Sequence, residues 1–212
     1  IEAITQNALP LLKENSTPET VSDDWITNFF DKSRIVSDKE MQRLWSRVLA
    51  GEANTPGAFA KRTVNLLGDL DKDDAILFMK LCGFVWEIGD LCPLVFDLQA
   101  RIYKDQDIHF GSLSHLESLG LIQFDNLTGF RRLGFLKVAT VFYYGQPVTL
   151  TFQMDTDNDL PVGTVLLTRA GQQLALVCAS QPVAEFFEYV KARWADQSLI
   201  QKSSTEQVTP AN

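Results

Sequence analysis

The sequence predicts a mainly α protein with a small antiparallel β part: an N-terminal helical bundle followed by a winged-helix-like domain. Three observations carry that expectation. Apolar residues recur at helical spacing through the first half of the chain. Runs rich in β-branched and aromatic residues, separated by turn formers, take over in the second half. Two segments frame that half: residues 113–122 read as a helix running into a strand, and residues 163–174 as a returning strand running into a helix. The expected organisation is a helical bundle over 1–108, a winged-helix-like domain with an extended β wing and a C-terminal helix over 109–201, and a disordered tail over 202–212.

The elements follow in order. Trp25, Ile26, Phe29 and Phe30 recur at helical spacing behind Asp23 and Asp24, whose negative charge favours a helix N-terminus. Ser37 and Glu40 have the spacing of a capping box, and Met41, Leu44, Trp45, Val48 and Leu49 then line one helix face. After the turn at 54–57, a third helix carries Phe59, Val64, Leu66 and Leu67. A fourth, beginning at Asp71 to Asp74, carries Ile76, Leu77, Phe78, Leu81, Phe84 and Val85. Leu94, Val95, Phe96, Leu98 and Ile102 predict one more helix over 94–103. Beyond a helix at about 112–119, strands are expected at 121–125, 138–144, 148–153 and 163–168, with a tight hairpin at Tyr144 to Pro147. Thr168 is placed to cap the next helix, and Pro182 to begin the last, which carries Val183, Phe186, Phe187, Val190 and Trp194.

The chain has 212 residues, 45% of them hydrophobic, enough for one large domain or two small ones with a real core. No stretch approaches the roughly 20 uninterrupted apolar residues that span a bilayer, so no membrane contact is expected within it. Nineteen basic against twenty-seven acidic residues leave a formal charge of −8, which repels phosphate backbones unless a local basic patch intervenes. Cys82, Cys92 and Cys178 are odd in number and lie among apolar residues, as reduced core thiols of a cytoplasmic protein would. The first residue is Ile1, so an upstream domain or anchor would not be visible.

At Trp25 to Phe30, Met41 to Glu52 and Pro56 to Thr63 the chain resembles the bacterial family catalogued as domain of unknown function 2806. The resemblance extends through Leu121-Ile122 and Leu166 to Gly171. The Leu44-Trp45 to Gly51-Glu52 core also looks like a segment of the abortive-infection alpha family. Ala60 stands where the family pattern has a serine at a helix start. The resemblance implies a bacterial cytoplasmic protein with a distant suggestion of phage defence, and supplies no catalytic residues.

No catalytic, metal or cofactor site is expected. Asp155, Asp157 and Asp159 have the spacing of the first ligands of a calcium loop, but Leu160 and Leu166 occupy the positions that need glycine and glutamate, so a solvated hairpin turn is the better reading. His109 and His115 have no partner at a recognised zinc spacing and read as surface or cap residues. The winged-helix outline invites a nucleic-acid role, yet 112–119 contains no Arg, Lys, Asn or Gln to read bases, and Glu117 opposes phosphate. The better nucleic-acid candidate is the stretch 126–154, which has no Asp or Glu. It interleaves Arg131, Arg132 and Lys137 with Phe130 and Tyr143, cations for phosphate beside rings for stacking.

Three functions compete. A non-catalytic protein-interaction module, binding a protein partner or copies of itself through spare aromatic anchors, leads. A nucleic-acid binder using the basic, aromatic wing loop is the alternative, and an enzyme with an unrecognised site the third.

Overall fold

The computed structural model describes residues 1–200, so the tail expected over 202–212 lies outside the described residues. The first half is helical: α1 (Glu2–Ala8), α2 (Asp23–Ser33), α3 (Lys39–Asn54), α4 (Lys61–Asp69) and α5 (Lys72–Cys82). After a hairpin of β1 (Val85–Ile88) and β2 (Asp90–Pro93) come α6 (Arg101–Lys104) and α7 (Phe110–Ser118). The remainder is β3 (Ile122–Phe124), β4 (Phe130–Phe135), β5 (Val138–Tyr143), β6 (Gln146–Thr151), β7 (Asn158–Gly163), β8 (Val165–Leu167), α8 (Arg169–Ala175) and α9 (Phe186–Asp196). The described residues thus combine helices with small antiparallel sheets.

Helix starts obey local chemistry. The carboxylate of Asp38 accepts from the Glu40 and Met41 amides at 2.9 and 3.1 Å, so Asp38, and not Ser37, caps α3. Asp71 and Asp74 form a full capping box on α5. Behind the caps, Trp25, Phe29 and Trp45 stack and meet edge-on at centroid distances of 5.1 Å, the nucleus of the helical half. The short helix α1, which the sequence pattern did not single out, packs on α3 and buries Ile4 and Ala8.

Several expectations are corrected. The fourth helix stops at Cys82, and Val85 opens a strand whose partner returns after the left-handed Gly89. The helix expected over 94–103 shrinks to Arg101–Lys104. Leu94 and Val95 are instead extended and fully buried, their backbones claimed by Phe84 and Thr164. Residues 130–135, expected as loop, pair as β4 with β7, which begins inside the turn expected over 155–159 and runs to Gly163, through two register shifts. The last helix begins at Phe186 rather than Pro182, after Glu185 in a left-handed conformation.

Other expectations hold. β5 and β6 pair through the Tyr144-Gly145 turn, both residues at positive φ. β3 pairs antiparallel with β8, and the Thr168 hydroxyl caps α8 by accepting from the Gly171 amide at 3.1 Å. The largest sheet runs β2-β1-β5-β6, so the hairpin from the helical half is completed by strands from the second half. One buried cluster runs through both halves, with Trp86 stacked on Tyr143 and Phe187 and meeting Trp194 edge-on. The side chain of Gln173 ties the halves together by accepting from the Ala60 amide and the Thr63 hydroxyl. Gln172 closes the free edge of β2 by pairing with both backbone groups of Leu91.

Candidate interaction surface

The residues proposed from the sequence for nucleic-acid or partner contact gather on β4, β5 and their connection, but in unequal roles. Arg131 pairs with Asp159 on the neighbouring strand, and each holds the other in its charged form, the carboxyl below and the guanidinium above its ordinary range. Arg132 is half-buried and directs two guanidinium nitrogens, each at 3.0 Å, to Asp90 on β2. Lys137 meets Asp155 at 2.9 Å. The stretch is free of acids along the chain but not in space, because the β1–β2 hairpin, β7 and the turn before it bring a carboxylate to each cation.

The rings also divide. Phe130 is half-buried against the core. Tyr143 is placed differently from the expectation of a stacking ring: it is 2% exposed, donates its hydroxyl hydrogen to the Gly83 carbonyl at 2.7 Å and accepts from the Val183 amide at 2.8 Å. Burial pushes its hydroxyl up to about 12. Its ring is part of the core.

What this region does present is apolar. Leu133 and Leu136 are 76% and 63% exposed, and Val138 and Met154 are each 56% exposed. They lie around the β4–β5 connection, where Lys137 exchanges backbone hydrogen bonds with Phe152 and Asp155. Sequence reasoning on this stretch weighed its cations and rings and did not single out these aliphatic residues. For Val138 the sign is alternation: Val138, Thr140 and Phe142 face away from the sheet side that buries Val141 and Tyr143.

The remaining candidates resolve as structural parts. His109 caps α7 through its ring nitrogen, accepting from the Ser112 amide, and His115 meets Asp74 at 2.6 Å across α7 and α5. Asp155 and Asp159 are engaged in the ion pairs above, and Asn158 between the two strands bonds Met154 and Phe135. No group of three or more His, Cys, Asp or Glu side chains suited to a metal ion occurs among the described residues. None of their helices is long and apolar enough to cross a membrane.

The segments that carry the family resemblance are scaffold. Glu52 is 3% exposed and accepts from the Gly57 and Phe59 amides at 2.7 and 2.8 Å, closing the turn into α4. The Phe59 ring lies where a side chain on Gly51 would be, and its carbonyl accepts from the Trp25 indole at 2.7 Å. Gly171 lets α8 approach the residue before β3 so closely that a Cβ would stand 2.1 Å from the Leu121 carbonyl oxygen. Together these features define a mixed helix-and-sheet protein with a shared core and an apolar ridge on its β side. A family model described as a protein of unknown function (DUF2806) matches residues 1–191, and the chain belongs to that family. No curated protein and no solved structure matches it.

Proposed function

We propose that the chain is a non-catalytic interaction module that self-associates through the ridge of Leu133, Leu136, Val138 and Met154. The observation that carries this reading is that four large exposed apolar residues fall around one strand connection, while others such as Ile35, Leu127 and Leu176 stand exposed elsewhere on the chain. Electrostatics favours a second copy as occupant. Two chains of net charge −8 repel unless they meet on a locally neutral face. Around the ridge every cation has its carboxylate: Arg131 with Asp159, Arg132 with Asp90 and Lys137 with Asp155. A face carrying both signs in equal number lets two copies meet about a two-fold axis without net repulsion.

In this reading α7, β3, β8 and α8 form a winged-helix-like unit, with β4 to β7 as its wing and α1 to α5 as a supporting bundle. The three buried free cysteines support a reducing, cytoplasmic setting. Nucleic-acid contact gains nothing from these pairings, since the cations that would meet phosphate are already paired. The abortive-infection likeness, with its suggestion of phage defence, adds no residue.

Sedimentation velocity over a wide concentration range tests the proposal. The native chain is expected to pass from monomer to dimer as concentration rises. Leu133→Glu combined with Leu136→Glu should hold it monomeric with an unchanged thermal melt, because both side chains are exposed. A native chain that stays monomeric throughout, or a double variant that dimerises as well as the native chain, refutes it.

A further inference from the structure

We propose that the cavity between α3, α5 and α8 binds a small monocarboxylate, its apolar body of about seven carbons among Met41, Leu44, Phe78 and Leu174 and its carboxylate on Arg47.

The cavity holds about 220 Å³. Met41, Phe78 and Leu174 in its wall are buried, while Lys72 and Ala179 are exposed, so it opens to solvent on one side. Along α3 the face turned toward it carries Glu40, Leu44 and Arg47 at i, i+4 and i+7, whereas Trp45 and Val48 fill the core on the neighbouring face. Apolar surface comes from all three helices, Met41 and Leu44 on α3, Phe78 and Met79 on α5, and Leu174 on α8. Methionine on two sides lets the wall adapt to the shape of a guest.

Charge selects an anion. Of the charged groups in the wall, Glu40 meets Arg43 at 2.6 Å and Lys72 meets Asp38 at 3.0 Å, so both already have partners. Arg47 is the remaining one, and among the described residues no carboxylate pairs with it. Its one hydrogen bond among them runs to the Val177 carbonyl at 3.4 Å and uses one of five guanidinium donors. That bond carries the side chain from α3 across to the turn after α8, leaving the other donors for a guest. Arg47 is half-buried, and a guanidinium beside an apolar wall attracts a carboxylate more strongly than one in open water. Glu40 lies two helical turns before it, about 10 Å along α3, at the other end of the cavity-facing stripe. One uncompensated positive charge matches one carboxylate.

Size sets the body. A cavity of about 150 Å³ holds benzene, so 220 Å³ takes roughly nine non-hydrogen atoms, fewer than a drug-sized site of about 300 Å³ or more. A chain of about seven carbons fills that space with its carboxylate left at Arg47. Filling it restores packing contacts that an empty apolar space forgoes, so the guest stabilises the fold as it binds. The cavity shares no residue with the ridge of Leu133 and Leu136, so this site goes beyond self-association.

The test titrates octanoate into the native chain by calorimetry and follows thermal melts in parallel. One octanoate per chain is expected, with a melting temperature that rises with its concentration. Octanol, which has the same chain without the charge, should bind at least roughly tenfold more weakly, and Arg47→Gln should weaken octanoate roughly 10–100-fold while leaving octanol unchanged. Ala75→Phe, which puts a ring into the cavity, should remove binding of both. Leu133→Glu with Leu136→Glu should bind octanoate as the native chain does, which separates this site from the self-association surface. Absence of saturable octanoate binding up to millimolar concentration would overturn the proposal, as would octanol binding equally well, or octanoate binding that survives Ala75→Phe or disappears with the ridge variant. The octanoate and octanol comparison uses the native chain, so a misfolded Arg47→Gln leaves the answer intact.

Discussion

Replacing Tyr143 with phenylalanine removes one oxygen from the core and leaves the ring in place, so its effect isolates two hydrogen bonds. The lost hydroxyl serves the Gly83 carbonyl, in a fully buried turn, and the Val183 amide, which is half-buried. Leaving a buried backbone group unpaired costs about 1–3 kcal/mol, so the pair should cost about 2–4 kcal/mol, with Val183 at the lower end. For a chain of this size each kcal/mol moves the melting temperature by about 2–4 °C, giving an expected drop of roughly 4–16 °C. Thermal melts and urea titrations should show the midpoint falling with an unchanged denaturant slope. The difference should also depend on pH. Tyr143 ionises at about 12 in the fold against an ordinary value of 10, so its contribution is complete below pH 10 and is lost as pH rises through 12. Native and variant stabilities should therefore converge between pH 10 and 12. A melting temperature within about 1 °C of the native one at pH 7 would refute the assignment of Tyr143 to the core.

Two further substitutions probe the segments that carry the family resemblance. Glu52→Gln puts an amide N–H against one of the two backbone donors that the carboxylate now accepts, and should cost about 1–3 kcal/mol in a urea titration, with Glu52→Ala at the upper end. Gly171→Ala forces a methyl against the Leu121 carbonyl, and should lower stability by about 2 kcal/mol or more, read as an earlier thermal midpoint.

What was legible in the sequence was local. The Tyr144-Gly145 turn, the Thr168 cap and the heptad-like faces of α2 and α3 are each written within a few residues of where they act. The β3–β8 pairing was also readable, because a helix–strand and a strand–helix unit leave few ways to pack. What escaped depends on partners far along the chain. Val85 continues the apolar pattern of α5 yet opens a strand, paired along its length with β2 and, at Glu87, with the distant β5. Leu94 and Val95 carry a helical-looking pattern but are held extended by Phe84 and Thr164. The acid-free stretch around Arg131 looked like a basic patch for the same reason: Asp90, Asp155 and Asp159 reach it only through the fold. At α3, Ser37 and Asp38 are both competent caps, and the spacing to Glu40 favoured the wrong one.

The strand order β2-β1-β5-β6 also sets a timetable for synthesis. The β1–β2 hairpin leaves the ribosome with its inner edge open, and β5, which covers that edge, follows roughly fifty residues later, a delay of about 3–10 s at ordinary elongation rates. Trp86 cannot be enclosed until Tyr143, Phe187 and Trp194 have all emerged. A nascent chain halted before β5 therefore carries an uncovered tryptophan and an unpaired edge, the kind of surface that chaperones hold. The core that β1 begins is closed only by α9.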